Sequence, residues 1–411
     1  MAESSFKTFF SSDFTEFPAI FETTLFLGAV YIGGGLAALC HLSPIIGEIA
    51  VGVSLGPQWL NILHDFPETP HFLRDLGQIG VTLMLFESGL AVHFSNLRNV
   101  WHQAIWVALL GTLLPIFGGI GFAYLMKWRI WPDGVALGCA LAPTSAGMTI
   151  KILTKAKQRG SSYGQTIISA AFLDDILSIL VWVVLMNLSD GKRDIRVAVP
   201  IVQALAFLLA AGLLAVRFFP RLISGISSVC QAHQGTSGYS DSAVVLHFIV
   251  MLFVLIGYSW LTSLVGSHLL GAFMAGVSFC QVPRSLLVWR RNTQQLATRL
   301  IKCYFGSTVA FSIPVAIMGT WAVLWRGVLC AIGPCILAKV VSGVLLGPER
   351  WLVGFAMVMR RDLAYFFSIM SVDRKIVGED SNLMTEETCA VCLYALLIAS
   401  LTAPFSCRFF L

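Results

Sequence analysis

Between Phe172 and Leu177 the chain places two adjacent carboxylates, Asp174 and Asp175, in the middle of an apolar run from Gln165 to Leu188. At 1.5 Å per residue, a helix over that run crosses a bilayer. A charged Asp at the centre of such a helix costs at least about 2.5–3.5 kcal/mol on insertion scales. Repulsion between neighbours adds to this, so a chain that keeps both must supply partners for them. The rest of the chain has the same character: 57% hydrophobic, 12% charged, with a mean hydropathy of +0.80. Soluble domains carry about twice that charged fraction. The 411 residues therefore read as an all-α polytopic membrane protein with no large extramembrane domain. The net charge of +5 reflects loop Lys and Arg and does not point to nucleic acid. The ten cysteines are scattered, most of them within apolar runs. Even the pair Cys389 and Cys392 lies inside a span, so small core residues are expected rather than a disulfide framework or a metal site.

Apolar windows give about thirteen transmembrane spans, including 19–40, 43–60, 75–93, 133–154, 163–188, 300–318, 320–346 and 350–371. An odd number suits two six-helix repeats, 19–188 and 243–409, joined by a linker helix over 197–218. Six spans plus one invert the second copy, a common build for secondary transporters with an ion site near the midplane. The segments from Pro44 to Gly52 and from Ser267 to Gly276 fall at the second position of each copy. Both are rich in small residues, as close helix contacts need. Residues 1–18 form an extracytoplasmic segment in this reading, and they lack the basic stretch of a cleaved signal peptide. The densest basic loops, 151–159 and 284–302, fall on one side, which puts the N-terminus outside and the C-terminus in the cytosol.

The fifth span contains Pro143 and Gly147 around Thr144 and Ser145. Proline removes a backbone donor and clashes with the preceding turn, so the helix can break there. Freed carbonyls and the two hydroxyls would offer hard oxygen ligands to an alkali cation; the plain alternative is a proline kink patched by neighbours. The twelfth span holds Arg360, Arg361 and Asp362 between apolar runs too short to cross alone, and a second broken helix is expected there, with a loop at the membrane edge as the alternative. Lys339, in the eleventh span, is the only lysine well inside a span and the best partner for one aspartate. Glu48 and Glu87 are further buried acids that could support the site, line an access path or gate it. His247 and His268 read as hydrogen-bonded packing residues. No Cys/His spacing suggests zinc and no glycine loop suggests a nucleotide, so neither a cofactor nor an enzyme is expected.

Taken together, these residues resemble the monovalent cation:proton antiporters of the sodium/proton exchanger type. The segments that carry the resemblance are Pro44 to Pro57, Gly80 to Leu90 with Glu87, Thr144-Ser145, and Gly164 followed by Asp174-Asp175. His268 to Gly276, Ala338-Lys339 and Gly354 to Asp362 complete them, so the likeness covers about residues 20 to 405. It implies a homodimer with a dimerisation domain and a mobile core domain in which two broken helices cross beside the aspartate helix. An Asp-Asp pair with a core lysine is similar to the electrogenic branch, which exchanges more protons than cations per cycle. Carried across, Asp175 is the main cation- and proton-binding carboxylate, and Asp174 assists and pairs with Lys339. Thr144 and Ser145 add oxygens. The family's usual Arg-Gly-Glu reads Arg360-Arg361-Asp362 here, and no regulatory tail is expected beyond residue 411. The implied partners are protons, an alkali cation (sodium or lithium ahead of potassium) and the lipids of a plasma or organellar membrane. Two other readings stand beside antiport: a sodium-coupled organic-anion symporter, for which Arg360 and Arg361 would receive the anion, and a sensor or channel.

Overall fold

A computed structural model describes residues 2–39, 44–56, 60, 69–92, 94–189, 198–225, 241–263, 267–282, 284–313, 315–344, 350–360, 362–373, 375–376 and 382–410. Helices make up nearly all of it. In chain order they are α1 (Ala2–Leu39), α2 (Pro44–Leu55), α3 (Thr69–Leu90), α4 (Phe94–Leu125), α5 (Val135–Leu141), α6 (Ala146–Lys155), α7 (Ser162–Ser189) and α8 (Ala198–Arg217). There follow α9 (Asp241–Ser263), α10 (His268–Phe279), α11 (Ser285–Cys303), α12 (Trp321–Cys330), α13 (Ala338–Val341), α14 (Arg350–Met357), α15 (Asp362–Asp373) and α16 (Glu386–Phe410). Among the described residues, seven helical stretches are long and apolar enough to cross a membrane, including Val100–Leu125, Ile130–Lys155, Ser162–Ser189 and Trp321–Val341. The chain is an integral, multi-pass membrane protein.

The first helix starts at Ala2 and runs unbroken to Leu39, so residues 2–18 are helical and continuous with the candidate span Phe21–Leu39. One expectation changes. The basic stretch 284–302 is a helix, α11, where a loop was expected. Its charges hid it: Arg290, Arg291, Arg299 and Lys302 pull down its mean hydropathy, although apolar Val288, Trp289 and Ala297 are buried along it. The chain then continues through a π-helical segment, Tyr304–Val309.

The molecule divides into two compact units, one of residues 1–81 with 296–316 and the other of residues 82–295 with 317–411. In the first, Phe26, Val30, Leu73 and Cys303 form an apolar core, joined by Phe311 at 5.4 Å between its ring and that of Phe26. The small residues of α2 serve close approach: a methyl group at Gly47 would overlap the backbone of Gly33. In the second unit α7 is central, and 28 residues take it well past the hydrocarbon thickness. Of its 28 residues 17 are buried, Asp174 and Asp175 among them. On one side α15 stacks on it through the parallel rings of Trp182 and Phe367, 4.4 Å apart.

Two helices of this unit are broken. Between α5 and α6, residues 142–145 leave helical geometry at Pro143. Between α14 and α15 the break falls at 358–361, of which Arg361 lies outside the described residues.

Candidate functional site

The two breaks meet. The backbone N–H of Ser145 donates to the carbonyl of Met359 at 2.8 Å, and the Thr144 hydroxyl donates to the carbonyl of Met357 at 3.2 Å. Arg360 answers in the other direction. Its Nη1 donates to the carbonyls of Leu141 and of Pro143 (3.1 Å), and its Nη2 to the carbonyl of Cys335 at 2.7 Å. A broken helix exposes carbonyls at its C-terminal side and N–H groups at its N-terminal side, and in a membrane interior each must find a partner. A guanidinium suits this because it is planar, always charged and donates in several directions at once.

Lys339 reaches Asp174 from a helix with its own irregular backbone. Gly333 and Pro334 sit in a π-helical segment, Ala331–Leu337, and the widened turn absorbs the proline within the helix. Lys339, at the start of α13, is fully buried. Its Nζ donates to Asp174 Oδ2 at 2.8 Å and to Thr144 Oγ1 at 2.8 Å. Asp174 is fully buried too, and its other oxygen, Oδ1, accepts from the hydroxyl of Thr112 on α4 at 2.7 Å. One polar chain thus runs from Thr112 through Asp174, Lys339 and Thr144 to the carbonyl of Met357, crossing α4, α7, α13, the first break and the end of α14. Such a pair survives in low dielectric only because hydrogen bonds surround it; loss of one partner would cost about 3–5 kcal/mol.

Asp175 is also buried and follows Asp174 on α7. Successive residues point about 100° apart around a helix, so the two carboxylates face different neighbours. Ser145 is the N-cap of α6, its Oγ accepting from the Met148 N–H at 3.3 Å. A negative-charge-favouring helix end therefore opens next to the lysine-bound hydroxyl of Thr144.

The remaining candidates have other partners. Glu48, in the first unit, is buried with its carboxylate 3.8 Å from Nζ of Lys302. Glu87 accepts from Arg290 Nε at 2.9 Å in a half-exposed pair. Both bases come from α11. Arg360, expected to gate or to receive an anion, is instead turned onto the carbonyls of the first break. Asp362 opens α15, and its side chain lies outside the described residues. His247 packs as expected, hydrogen-bonded to Ser285 at 3.0 Å. Thr112 is the residue that sequence reasoning missed: a lone hydroxyl in a long apolar span carries no mark of its partner.

The sequence model of the family described as "Sodium/hydrogen exchanger, transmembrane" matches residues 10–411. The chain is 26% identical over 399 residues to a Na+/H+ antiporter of Enterococcus hirae, covering 94% of this chain and 96% of that protein. It is also 26% identical over 421 residues to the high-affinity Na+/H+ antiporter NhaS3 of Synechocystis sp., covering 91% and 85%. Among solved structures, the sodium proton antiporter MjNhaP1 from Methanocaldococcus jannaschii superposes with a TM-score of 0.71 over 96% of both chains, at 14% identity, a likeness of fold. The match of the family model over nearly the whole sequence places this chain in the sodium/hydrogen exchanger family.

Proposed function

We propose that the chain is a secondary active antiporter exchanging protons for a monovalent alkali cation, sodium or lithium ahead of potassium. The observation that carries this reading is the fully buried cluster of Asp174, Lys339 and Thr144 at the point where a helix unwinds. It supplies a carboxylate, a competing cation and a neutral oxygen in one place, which is what alternate binding of a proton and an alkali ion needs. In this reading Asp175 is the main binding carboxylate, Asp174 assists, and Thr144 and Ser145 contribute oxygens. Glu48, Glu87 and Asp362 have supporting or gating roles.

The cycle follows from competition. With the site open to one side, protonation of Asp175 and renewed pairing of Asp174 with Lys339 expel the cation. A site with compensated charge can cross the low-dielectric barrier, whereas an uncompensated one cannot. The core domain then carries the site across by an elevator motion against a dimerisation domain, within a homodimer whose N-termini face outside. Lys339 makes the exchange electrogenic, with more protons than cations moved per cycle. One net charge through 100 mV is worth about 2.3 kcal/mol, against about 1.4 kcal/mol for one pH unit, so voltage drives such a cycle as effectively as pH. The organic-anion reading needs an arginine turned toward a substrate, and the bonds of Arg360 to Pro143 and Cys335 speak against it.

The test is fluorescence dequenching in proteoliposomes holding a proton gradient, with sodium, lithium and potassium added in turn. Wild type should release protons on cation addition and Asp175→Asn should not. Exchange retained in Asp175→Asn would overturn the assignment.

A further inference from the structure

We propose that Thr112 is a further oxygen ligand of the transported cation, its hydroxyl proton turning from Asp174 to the carbonyl of Ala108 when the cation arrives. The inference rests on the antiport reading above and extends its site to α4. Thr112 is buried, and its Oγ1 lies within reach of two acceptors, Asp174 Oδ1 at 2.7 Å and the Ala108 carbonyl one turn back at 3.0 Å. A hydroxyl has one proton and two lone pairs, so it donates to one acceptor at a time. Donation to Asp174 points the proton at the carboxylate, into the space where a bridging cation would sit. Donation to Ala108 turns the lone pairs toward the carboxylate oxygen instead, and no buried donor is stranded in either state. Two oxygens that close, with no proton between them, repel unless a cation bridges them. A hydroxyl beside a carboxylate is the hard donor set that alkali and alkaline-earth ions take.

The preceding residue keeps the space open. Gly111 has no side chain, and a methyl group there would lie 3.5 Å from Asp174 Oδ1, 3.5 Å from Lys339 Nζ and 3.4 Å from Met357 Cε. That is ordinary contact distance. Alanine would therefore fit, but would occupy room beside the pair. The plainer account is that Thr112 merely bonds back to its own helix, as threonines in membrane helices do, and touches Asp174 in passing. The two accounts differ in what happens to selectivity. A ligand contributes to the size and field of the site and so treats lithium and sodium differently; a back-bonded neighbour does not.

The experiment measures sodium and lithium KM by dequenching, using the purified full chain in proteoliposomes, for wild type, Thr112→Val, Thr112→Ser, Gly111→Ala and Asp175→Asn. Thr112→Val should raise the sodium KM about tenfold, in keeping with loss of one charge-assisted contact, and should change the lithium-to-sodium KM ratio. Thr112→Ser should stay within roughly twofold of wild type, since it keeps the oxygen. Gly111→Ala, which keeps every polar group, should penalise sodium more than the smaller lithium and reports on the same space if the valine variant fails to fold. An unchanged sodium KM in Thr112→Val, a serine variant as impaired as the valine, or sodium and lithium KM values moved by the same factor would each overturn the ligand assignment. A wild type that releases no protons on addition of any alkali cation would overturn the antiport reading instead, and exchange persisting in Asp175→Asn would overturn only the role of Asp175, whatever the Thr112 variants do.

Discussion

Arg360→Met separates a structural arginine from a substrate-binding one. Methionine matches the unbranched arginine stem as far as Nε and removes the donors that now meet the carbonyls of Leu141, Pro143 and Cys335. All of these groups lie within the membrane-spanning part of the chain, where water does not replace the lost donors. Each stranded buried acceptor costs about 1–3 kcal/mol. Partial relaxation of the break reduces the sum, so the variant should lose about 3–5 kcal/mol, comparable to breaking a buried ion pair. Arg360→Lys should fall between, because one ammonium reaches either the end of α5 or the Cys335 carbonyl but lacks the fork that spans both. The assay is apparent unfolding temperature in detergent, with all three proteins at one scan rate, since large membrane proteins unfold irreversibly. The methionine variant should unfold more than about 5 °C below wild type, with lysine intermediate. Wild-type unfolding temperature in Arg360→Met, accompanied by a large rise in KM, would refute the reasoning and return Arg360 to the substrate.

Further outcomes follow from the same contacts. Lys339→Gln strands the Asp174 carboxylate and should cost about 3–5 kcal/mol of stability, while Asp174→Asn in the same chain should recover most of it in thermal unfolding. If Lys339 carries the electrogenic step, the exchange left in Lys339→Gln should lose its response to an imposed potassium–valinomycin voltage, and unchanged voltage dependence would remove Lys339 from that role. With two protons displaced by one cation, competition predicts that the pH of half-maximal activity falls by about half a unit for each tenfold rise in sodium above its dissociation constant, against about one unit for a one-for-one exchange, read from dequenching titrations; a half-point independent of sodium would mean separate sites. Thr144→Val and Arg360→Lys should be non-additive in unfolding temperature, because their groups cap facing breaks in contact, whereas Thr144→Val and the distant, half-exposed Arg290→Gln should add.

The sequence announced the site where its residues conflict with their surroundings. Two aspartates in an apolar run, one lysine deep in another, and a proline beside two hydroxyls each violate what a membrane helix tolerates, and such violations persist only with partners. Thus Lys339 could be paired with one of the two aspartates from the residues alone, the family resemblance pointed to Asp174, and Asp174 and Lys339 meet at 2.8 Å. Where no rule is broken, nothing could be read. Threonine is at home in a membrane helix, so Thr112 gave no sign of facing Asp174, a contact 62 residues away in sequence. Arg360 did break a rule, but the sequence shows only that it needs acceptors. That these are backbone carbonyls, which every residue carries, is invisible to residue-type reasoning. Helix α11 failed for the opposite reason: its charges read as loop because the acids that take up two of them, Glu48 and Glu87, lie more than 200 residues earlier.

The placement of polar residues at the two breaks has one physical logic. Each broken helix leaves carbonyls at the end of its first half, and neither can satisfy them alone. The first break holds Thr144 and Ser145, whose donors reach the carbonyls of Met357 and Met359; the second holds Arg360, whose donors reach the carbonyls of Leu141 and Pro143. The breaks therefore cap each other, and separating them would strand acceptors on both sides at about 1–3 kcal/mol apiece. That reciprocity favours motion of α5, α6, α14 and α15 as one body over opening of the crossing itself. It also explains why the lysine is where it is. With the arginine committed to α5 and Thr144 to Met357, the carboxylate of Asp174 still needs a cation, and a second fixed guanidinium would hold it permanently. A lysine on a flexible stem, bonded to Asp174 and to Thr144 at equal 2.8 Å distances, neutralises the aspartate while leaving it exchangeable. On the antiport reading proposed above, the crossing would stay intact through the cycle and the Lys339–Asp174 bond would be the one that opens.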